Sequence, residues 1–264
     1  MVSIIIVNYN QKNLLNVCVK GILKVAPKID YEIIVVDNAS TDGSDAIIDK
    51  LKTKSQKLKV ILNKKNLGFA GGCNVGIKES KGDYILILNP DIVVLENSIE
   101  KLYQFMEENK NVGIAGPKLL NPDKSIQSSC YRFPSWYIPV LRRTFLGGLS
   151  WAKKKLDYYL MNDFDHQSGK EVDWLLGAAL MIRKSMLDKI GLFDERFFLY
   201  FEDIDLCRRA KKSGWQVYYY PFSEMFHYYQ RTSAKQQGFF SLFSKVTWIH
   251  IFSAIKYFWK WRRI

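Results

Sequence analysis

Three groups of side chains in this sequence could do chemistry. The first is Asp91, at the end of Tyr84-Ile-Leu-Ile-Leu-Asn89-Pro90-Asp91. An apolar run reads as a buried strand, and the proline stops the ladder. A carboxylate just past a strand's carboxyl end stands where open α/β sheets bind ligands. Beside a diphosphate it would suit a divalent hard cation, although Asn-Pro-Asp is also a common turn. The second group lies in Phe193–Asp205, where five acidic residues alternate with five aromatics. Aromatic bulk raises the pKa of neighbouring carboxyls, which suits proton transfer. The same acids, Glu202, Asp203 and Asp205, also favour a helix start, with Arg208-Arg209 further along. The third is His227, one of three histidines, which reads as a packing residue or a ligand.

Strands alternating with helices must position these groups. Ser3–Val7, Glu32–Val36, Leu58–Leu62 and Tyr84–Leu88 read as four strands. Between them lie helical spacing from Gln11 to Val25, a capped helix after Asp37–Gly43, and a glycine-rich segment from Asn66 to Gly76. Such alternation predicts right-handed crossovers and a mostly parallel sheet. Four strand ends then bring Tyr9, Asp37, Asn66 and Asp91 to one edge. The segment Gly68-Phe-Ala-Gly71-Gly72 fits neither G-x-G-x-x-G nor a P-loop. Its glycines serve close helix–sheet packing or backbone approach to a sugar phosphate equally well.

Further on, Glu96–Asn109 reads as an amphipathic helix and Val112–Gly116 as a strand. Residues 117–172 read as an irregular, partly mobile acceptor-side insertion with Arg142-Arg143 and Lys153-Lys154-Lys155. Asp173–Arg183 reads as one apolar strand. Gln216–Tyr220 reads as the last, ended by Pro221.

Size and charge bound the rest. The chain has 264 residues and 48% hydrophobic content, enough for a full globular core. A net charge of +13 points to an anionic partner: nucleotide, nucleic acid or membrane. No nucleic-acid recognition motif accompanies it. Cys18, Cys73, Cys130 and Cys207 are scattered without a Cys-x-x-Cys, as expected for reduced thiols in the cytoplasm. The N-terminus reads as a first strand rather than a signal peptide.

Six segments in order resemble the family-2 glycosyltransferases, and their rhamnosyltransferase-like branch in particular. They are Val2–Asn10, Val36–Gly43, Asn66–Asn74, Leu88–Asp91, Gly177–Met181 and Phe201–Arg208. The resemblance implies an α/β GT-A fold, a nucleotide-diphosphate sugar donor, and Mg²⁺ or Mn²⁺. It implies donor contacts from Tyr9, Asn10, Asp37, Asn66, Gly68 and Asn89. Asp91 matches the last carboxylate of the family's Asp-x-Asp motif, whose first position is the amide Asn89 here. His227 matches a histidine that some relatives place on the metal or diphosphate. Asp203, with Glu202, occupies the position of the catalytic base. One base opposite the leaving group implies inversion at the anomeric carbon. The acceptor is expected at Trp174, Gly177 and Ala178, the glycine leaving room and the tryptophan serving as a stacking platform or as core. The organisation expected is a donor half over 1–116, an acceptor and catalytic half over 117–237, and a tail over 238–264.

In that tail the longest charge-free stretch, Val246–Ile255, is ten residues. A spanning helix needs about 20. Lys245, Lys256 and Lys260 share one helical arc among tryptophans and tyrosines, as in a helix lying in a membrane interface. The expectation is a peripheral enzyme at the inner face of the cell membrane, acting on a saccharide or polyprenyl-linked acceptor in cell-surface polysaccharide assembly. A terminal helix docked on the domain, or a homodimer surface, fits the same pattern. An idle nucleotide-binding relative and a basic nucleic-acid-binding protein are the competing functional readings.

Overall fold

The computed structural model of the chain describes residues 1–228 and 245–262. The expected boundary at 237/238, the tail's start through 244 and its last two residues lie outside the described residues. In chain order the first half runs β1 (Val2–Asn8), α1 (Lys12–Val25), β2 (Tyr31–Asp37), α2 (Ser44–Lys52), β3 (Leu58–Leu62) and α3 (Gly68–Lys78). It continues with β4 (Tyr84–Leu88), β5 (Ile92–Val94), α4 (Ser98–Glu108) and β6 (Val112–Leu120). Then follow β7 (Ile126–Gln127), β8 (Cys130–Tyr131), α5 (Ile138–Arg143), a 3-10 turn and α6 (Ser150–Tyr159). After β9 (Lys170–Glu171), β10 (Trp174–Leu175), β11 (Ala179–Arg183) and α7 (Lys184–Ile190) come α8 (Glu202–Lys212), β12 (Gln216–His227) and α9 (Lys245–Lys260).

One sheet organises the molecule, in the order β3-β2-β1-β4-β11-β6-β12-β5. The first four strands are parallel, with Asn8 beside Asp37 and Asp37 beside Leu62, so their chains exit at one level. β11 runs antiparallel between β4 and β6, and β5 antiparallel to β12. Successive side chains of a strand face opposite ways. Ile4 and Ile6 therefore pack with Leu15, Ile22 and Ile48, whereas Ile5 and Val7 pack with Cys73 and Ile77 on the other face.

Several expected boundaries move. Pro221 does not end the last strand: β12 continues to His227, with register shifts between Tyr220 and Glu224. A bulge tolerates the missing N–H. Asp173–Arg183 is two strands, because the chain turns at Leu176–Ala178 where Leu176 N–H donates to the Ser129 carbonyl. The 117–172 region, expected to be irregular, carries the two helices α5 and α6.

Packing accounts for the glycine-rich segment. A Cβ at Gly72 would lie 2.6 Å from Val7 Cγ1, and one at Gly76 2.5 Å from Ile5 Cγ2, so α3 sits directly on the sheet. Gly68 has φ +75, and its Cβ would enter the Phe198 carbonyl. That carbonyl also accepts the Phe69 N–H at 2.8 Å, tying α3 to the loop before α8. Gly68→Ala, strained in both respects, is expected to cost about 2 kcal/mol or more. Chemical denaturation that left the midpoint unchanged would contradict this role.

Candidate active site

At the parallel end of the sheet the buried Asn8 amide donates to Asp37 Oδ1 at 2.7 Å, to Ser40 Oγ at 3.1 Å and to Ser44 Oγ at 3.0 Å. Asp37 also receives the Ser40 N–H at 2.9 Å and the Ser40 hydroxyl at 2.6 Å. Its carboxylate thus braces the β2–α2 turn. Asn10 accepts the Thr41 N–H at 2.7 Å across the same turn. Asn66 Oδ1 accepts the Gly68 N–H at 2.8 Å and so supports the start of α3. Asn38, unremarked among the expected donor contacts, links the Gly68 carbonyl (2.9 Å) to the Asn63 amide (2.8 Å). Tyr9 stands at this edge 47% exposed, available to a planar ligand.

Asp91 follows β4, and the β5–β12 pairing sets His227 opposite Ile92. Asp91 Oδ1 lies 3.3 Å from His227 Nε2. Gln127 Oε1 lies 2.7 Å from His227 Nδ1 and accepts its proton in the neutral ring. Nε2 then faces a carboxylate oxygen buried from solvent. A nitrogen and an oxygen donor thus stand side by side at ion-pair distance, as they would around a shared cation. The donor set fits Mn²⁺ or Mg²⁺, an oxygen carrying the charge and an imidazole oriented by Gln127. Among the described residues no group of three or more His, Cys, Asp and Glu side chains could hold a metal, so the protein would supply two ligands. Beneath Asp91, burial and then the aspartate's charge push the Cys18 thiol up to about 12.

Asn89 connects this corner to the second acidic group. Its N–H donates to the Ala178 carbonyl at 2.9 Å, and the neighbouring Gly177 N–H donates to Asp203 Oδ2 at 2.9 Å. Asp203 Oδ1 takes the Ile204 N–H at 2.8 Å. Burial raises the Asp203 carboxyl to about 6, against the lowering effect of these two N–H groups. Burial, then the charge of Asp203, holds Glu202 well above the carboxylate range. Glu202 is therefore the protonated member, and its Oε2 is buried without a hydrogen-bond partner. Just before the pair, Tyr200 (φ 68) and Phe201 (φ 70) are both left-handed, a strained backbone. Asn74 helps hold it, bonding the Phe193 backbone at 2.9 and 3.0 Å.

The three expected acceptor residues are corrected by this geometry. Trp174 is 4% exposed, stacks on Tyr131 at 4.3 Å and donates its indole N–H to the Arg132 carbonyl, so it offers no free face. Gly177 leaves room not for a sugar but for Asp203, whose Oδ2 would lie 3.2 Å from an added Cβ. Ala178 is 2% exposed and belongs to the sheet core.

The tail is corrected in part. α9 docks on α8: Asp205 Oδ1 accepts the Trp261 indole N–H at 3.0 Å and pairs with Lys260 at 2.6 Å. Arg208 donates to the buried Tyr257 hydroxyl at 3.0 Å. The exposed Lys256 donates to the Arg196 carbonyl at 2.9 Å, and Lys260 turns to Asp194 and Asp205 of the domain. No helix among the described residues is long and apolar enough to cross a membrane.

Comparison with known proteins agrees with this architecture. The family profile described as glycosyl transferase family 2 matches residues 3–160, and that of glycosyl transferase family group 2 matches residues 84–263. An N-acetylglucosaminyl-diphospho-decaprenol L-rhamnosyltransferase of Mycobacterium tuberculosis is 28% identical over 218 residues, covering 78% of this chain and 69% of the relative. The rhamnosyltransferase WbbL of Escherichia coli K12 is 26% identical over 256 residues, covering 85% and 91%. Among solved structures, the mannosyltransferase PcManGT of Pyrobaculum calidifontis, in complex with GDP-Man and Mn²⁺, superposes with a TM-score of 0.61 at 18% identity. That match covers 89% of this chain, which spans 59% of the mannosyltransferase. GalNAc-T7 with UDP, GalNAc and Mn²⁺ gives a TM-score of 0.64 at 16% identity. The sheet order and these matches together establish that the chain has the GT-A fold and belongs to glycosyl transferase family 2.

Proposed function

We propose that the protein is an inverting, metal-dependent transferase. It moves a sugar, rhamnose being the first candidate, from a nucleotide-diphosphate donor to a hydroxyl of a glycan or polyprenyl-linked saccharide. Residues 1–116 would hold the donor, with Tyr9 against the base. Asn10, Asp37, Asn66, Gly68 and Asn89 would shape that edge, largely through the backbone they fix. Asp91 and His227 would hold Mg²⁺ or Mn²⁺, which when bound neutralises the departing diphosphate. Asp203 takes the proton from the acceptor hydroxyl as the oxygen attacks. Burial holds the Glu202 carboxyl above its usual range, so it stands beside Asp203 as the less acidic of the pair.

The observation that carries this reading is the short backbone path from Asp91 through Asn89, Ala178 and Gly177 to Asp203, which ties the two acidic groups to one strand junction. The test is turnover of a panel of nucleotide sugars with Mn²⁺ and a lipid-diphosphate-linked N-acetylglucosamine acceptor, the product's anomeric configuration being read by NMR. Inverted product is expected. No turnover of any donor, or retained configuration, would overturn the reading.

The site of action we propose is the inner membrane surface. On α9, Trp248, Phe252, Ile255 and Trp259 form one stripe, each half exposed or more. Burying that stripe in an interface suits aromatic side chains. The protein should float with anionic liposomes, and Trp248→Glu with Trp259→Glu should abolish this. Unaltered flotation would assign binding to another surface, and a dimer dissociated by the same variants would make the stripe a subunit contact.

A further inference from the structure

The corrected acceptor residues leave the acceptor without a seat, and the α5–α6 hairpin supplies a hollow of the right kind. It measures about 510 Å³, within the range of small-ligand pockets. Phe133 and Ile138 form an apolar wall. Trp151, Lys154, Lys155 and Tyr158 of α6 form the other side, and no acidic residue lines it. Trp151 and Tyr158 are 57% and 63% exposed, large apolar surfaces left in water beside two ammonium groups. A free phosphate would need no aromatic wall, and a hydrocarbon chain would need no lysines. Both together match a ligand that is anionic at one end and apolar at the other.

The hollow lies close to the catalytic corner, behind a layer of stacked rings. Its inner wall includes the buried Tyr159, whose ring stacks on Tyr131 at 5.6 Å, and Tyr131 stacks on Trp174 at 4.3 Å. Arg208 of α8 lies over the Phe133 ring at 5.3 Å. One aromatic layer thus separates the hollow from the strand that presents Gly177 to Asp203. We infer that the α5–α6 hollow seats the diphosphate and the first isoprene units of a lipid-linked acceptor, leaving its sugar hydroxyl to reach Asp203. Lys154 and Lys155 meet the diphosphate, while Trp151, Tyr158, Phe133 and Ile138 take the chain. This rests on the transferase reading above and adds to it the place where the acceptor's diphosphate and chain would sit.

The probe is farnesyl diphosphate, titrated onto the whole chain in EDTA so that the donor's cation corner does not hold it. Affinity should fall at least tenfold in Lys154→Glu/Lys155→Glu and in Trp151→Ala. Farnesol and inorganic pyrophosphate should each bind at least tenfold more weakly than farnesyl diphosphate. Binding of a nucleoside diphosphate with Mn²⁺ should stay at the parent's level in both variants, which also reports an intact fold. Equal farnesyl diphosphate affinity in parent and variants would overturn the inference, as would pyrophosphate binding as tightly. So would variants that lose phosphatidylglycerol vesicles but keep farnesyl diphosphate, which would make the hollow a membrane contact. If the parent binds no donor yet the variants lose the lipid diphosphate, the transferase reading falls and the lipid site stands.

Discussion

Asp203→Asn is expected to lose about a thousandfold or more in sugar transfer while keeping donor affinity, because a positioned general base contributes about 10²–10⁴-fold. The asparagine keeps the shape and one acceptor oxygen for the Gly177 or Ile204 N–H, but cannot take a proton. In the parent, transfer should decline on the acid side as Asp203 titrates near 6. The same residue gives stability a distinct pH signature. Its folded pKa lies above its ordinary value of 3.8 because of burial, so its contribution to stability is full below about pH 4 and is lost as pH rises through 6. An asparagine has no proton to lose. The variant should therefore gain thermal stability relative to the parent between pH 5 and pH 7.5. A variant that kept parental turnover would remove Asp203 as the base. An unchanged stability difference across that range would deny the burial argument.

The second large effect belongs to Asp91→Ala. Asp91 is the carboxylate of the pair, so it would carry most of the cation's charge compensation. Donor affinity in Mn²⁺ should fall about tenfold or more, and transfer about a hundredfold or more, since stabilising the leaving diphosphate is worth several kcal/mol. In EDTA, parent and variant should bind donor alike. His227→Ala should do less, since it removes a neutral ligand and leaves the charge. Equal donor affinity of parent and Asp91→Ala in Mn²⁺ would move the cation elsewhere.

The donor-side sheet was legible because β1 to β4 are short, apolar and separated by turns or helices, so local pattern and global fold agree. Asp91 and Asp203 stood out as candidates for a related reason: carboxylates next to buried runs have few structural excuses. What failed depends on contacts far apart in the chain. Gln127 sits on a two-residue strand that no periodicity announces, yet it orients His227 across about a hundred residues of sequence. Gly177 looked like space for a sugar because a missing side chain does not say what fills the gap, and Asp203 fills it. Lys256 and Lys260 share one side of α9, but periodicity defines a face without saying which face docks. Asp194 and Asp205, which draw Lys260 inward, decide that. Pro221 misled because a bulge relieved the constraint it imposes.

The central claim is that the cation and the base stand at two corners of one cleft, and locating a bound metal tests it most directly. Crystals grown with Mn²⁺ and a nucleoside diphosphate should show the anomalous Mn²⁺ peak on the Asp91 carboxylate and His227 Nε2, with the diphosphate between it and the Tyr9 edge and open space leading toward Asp203. A peak away from Asp91, or a diphosphate bound with Asp203 on the far side of the protein, would contradict the account.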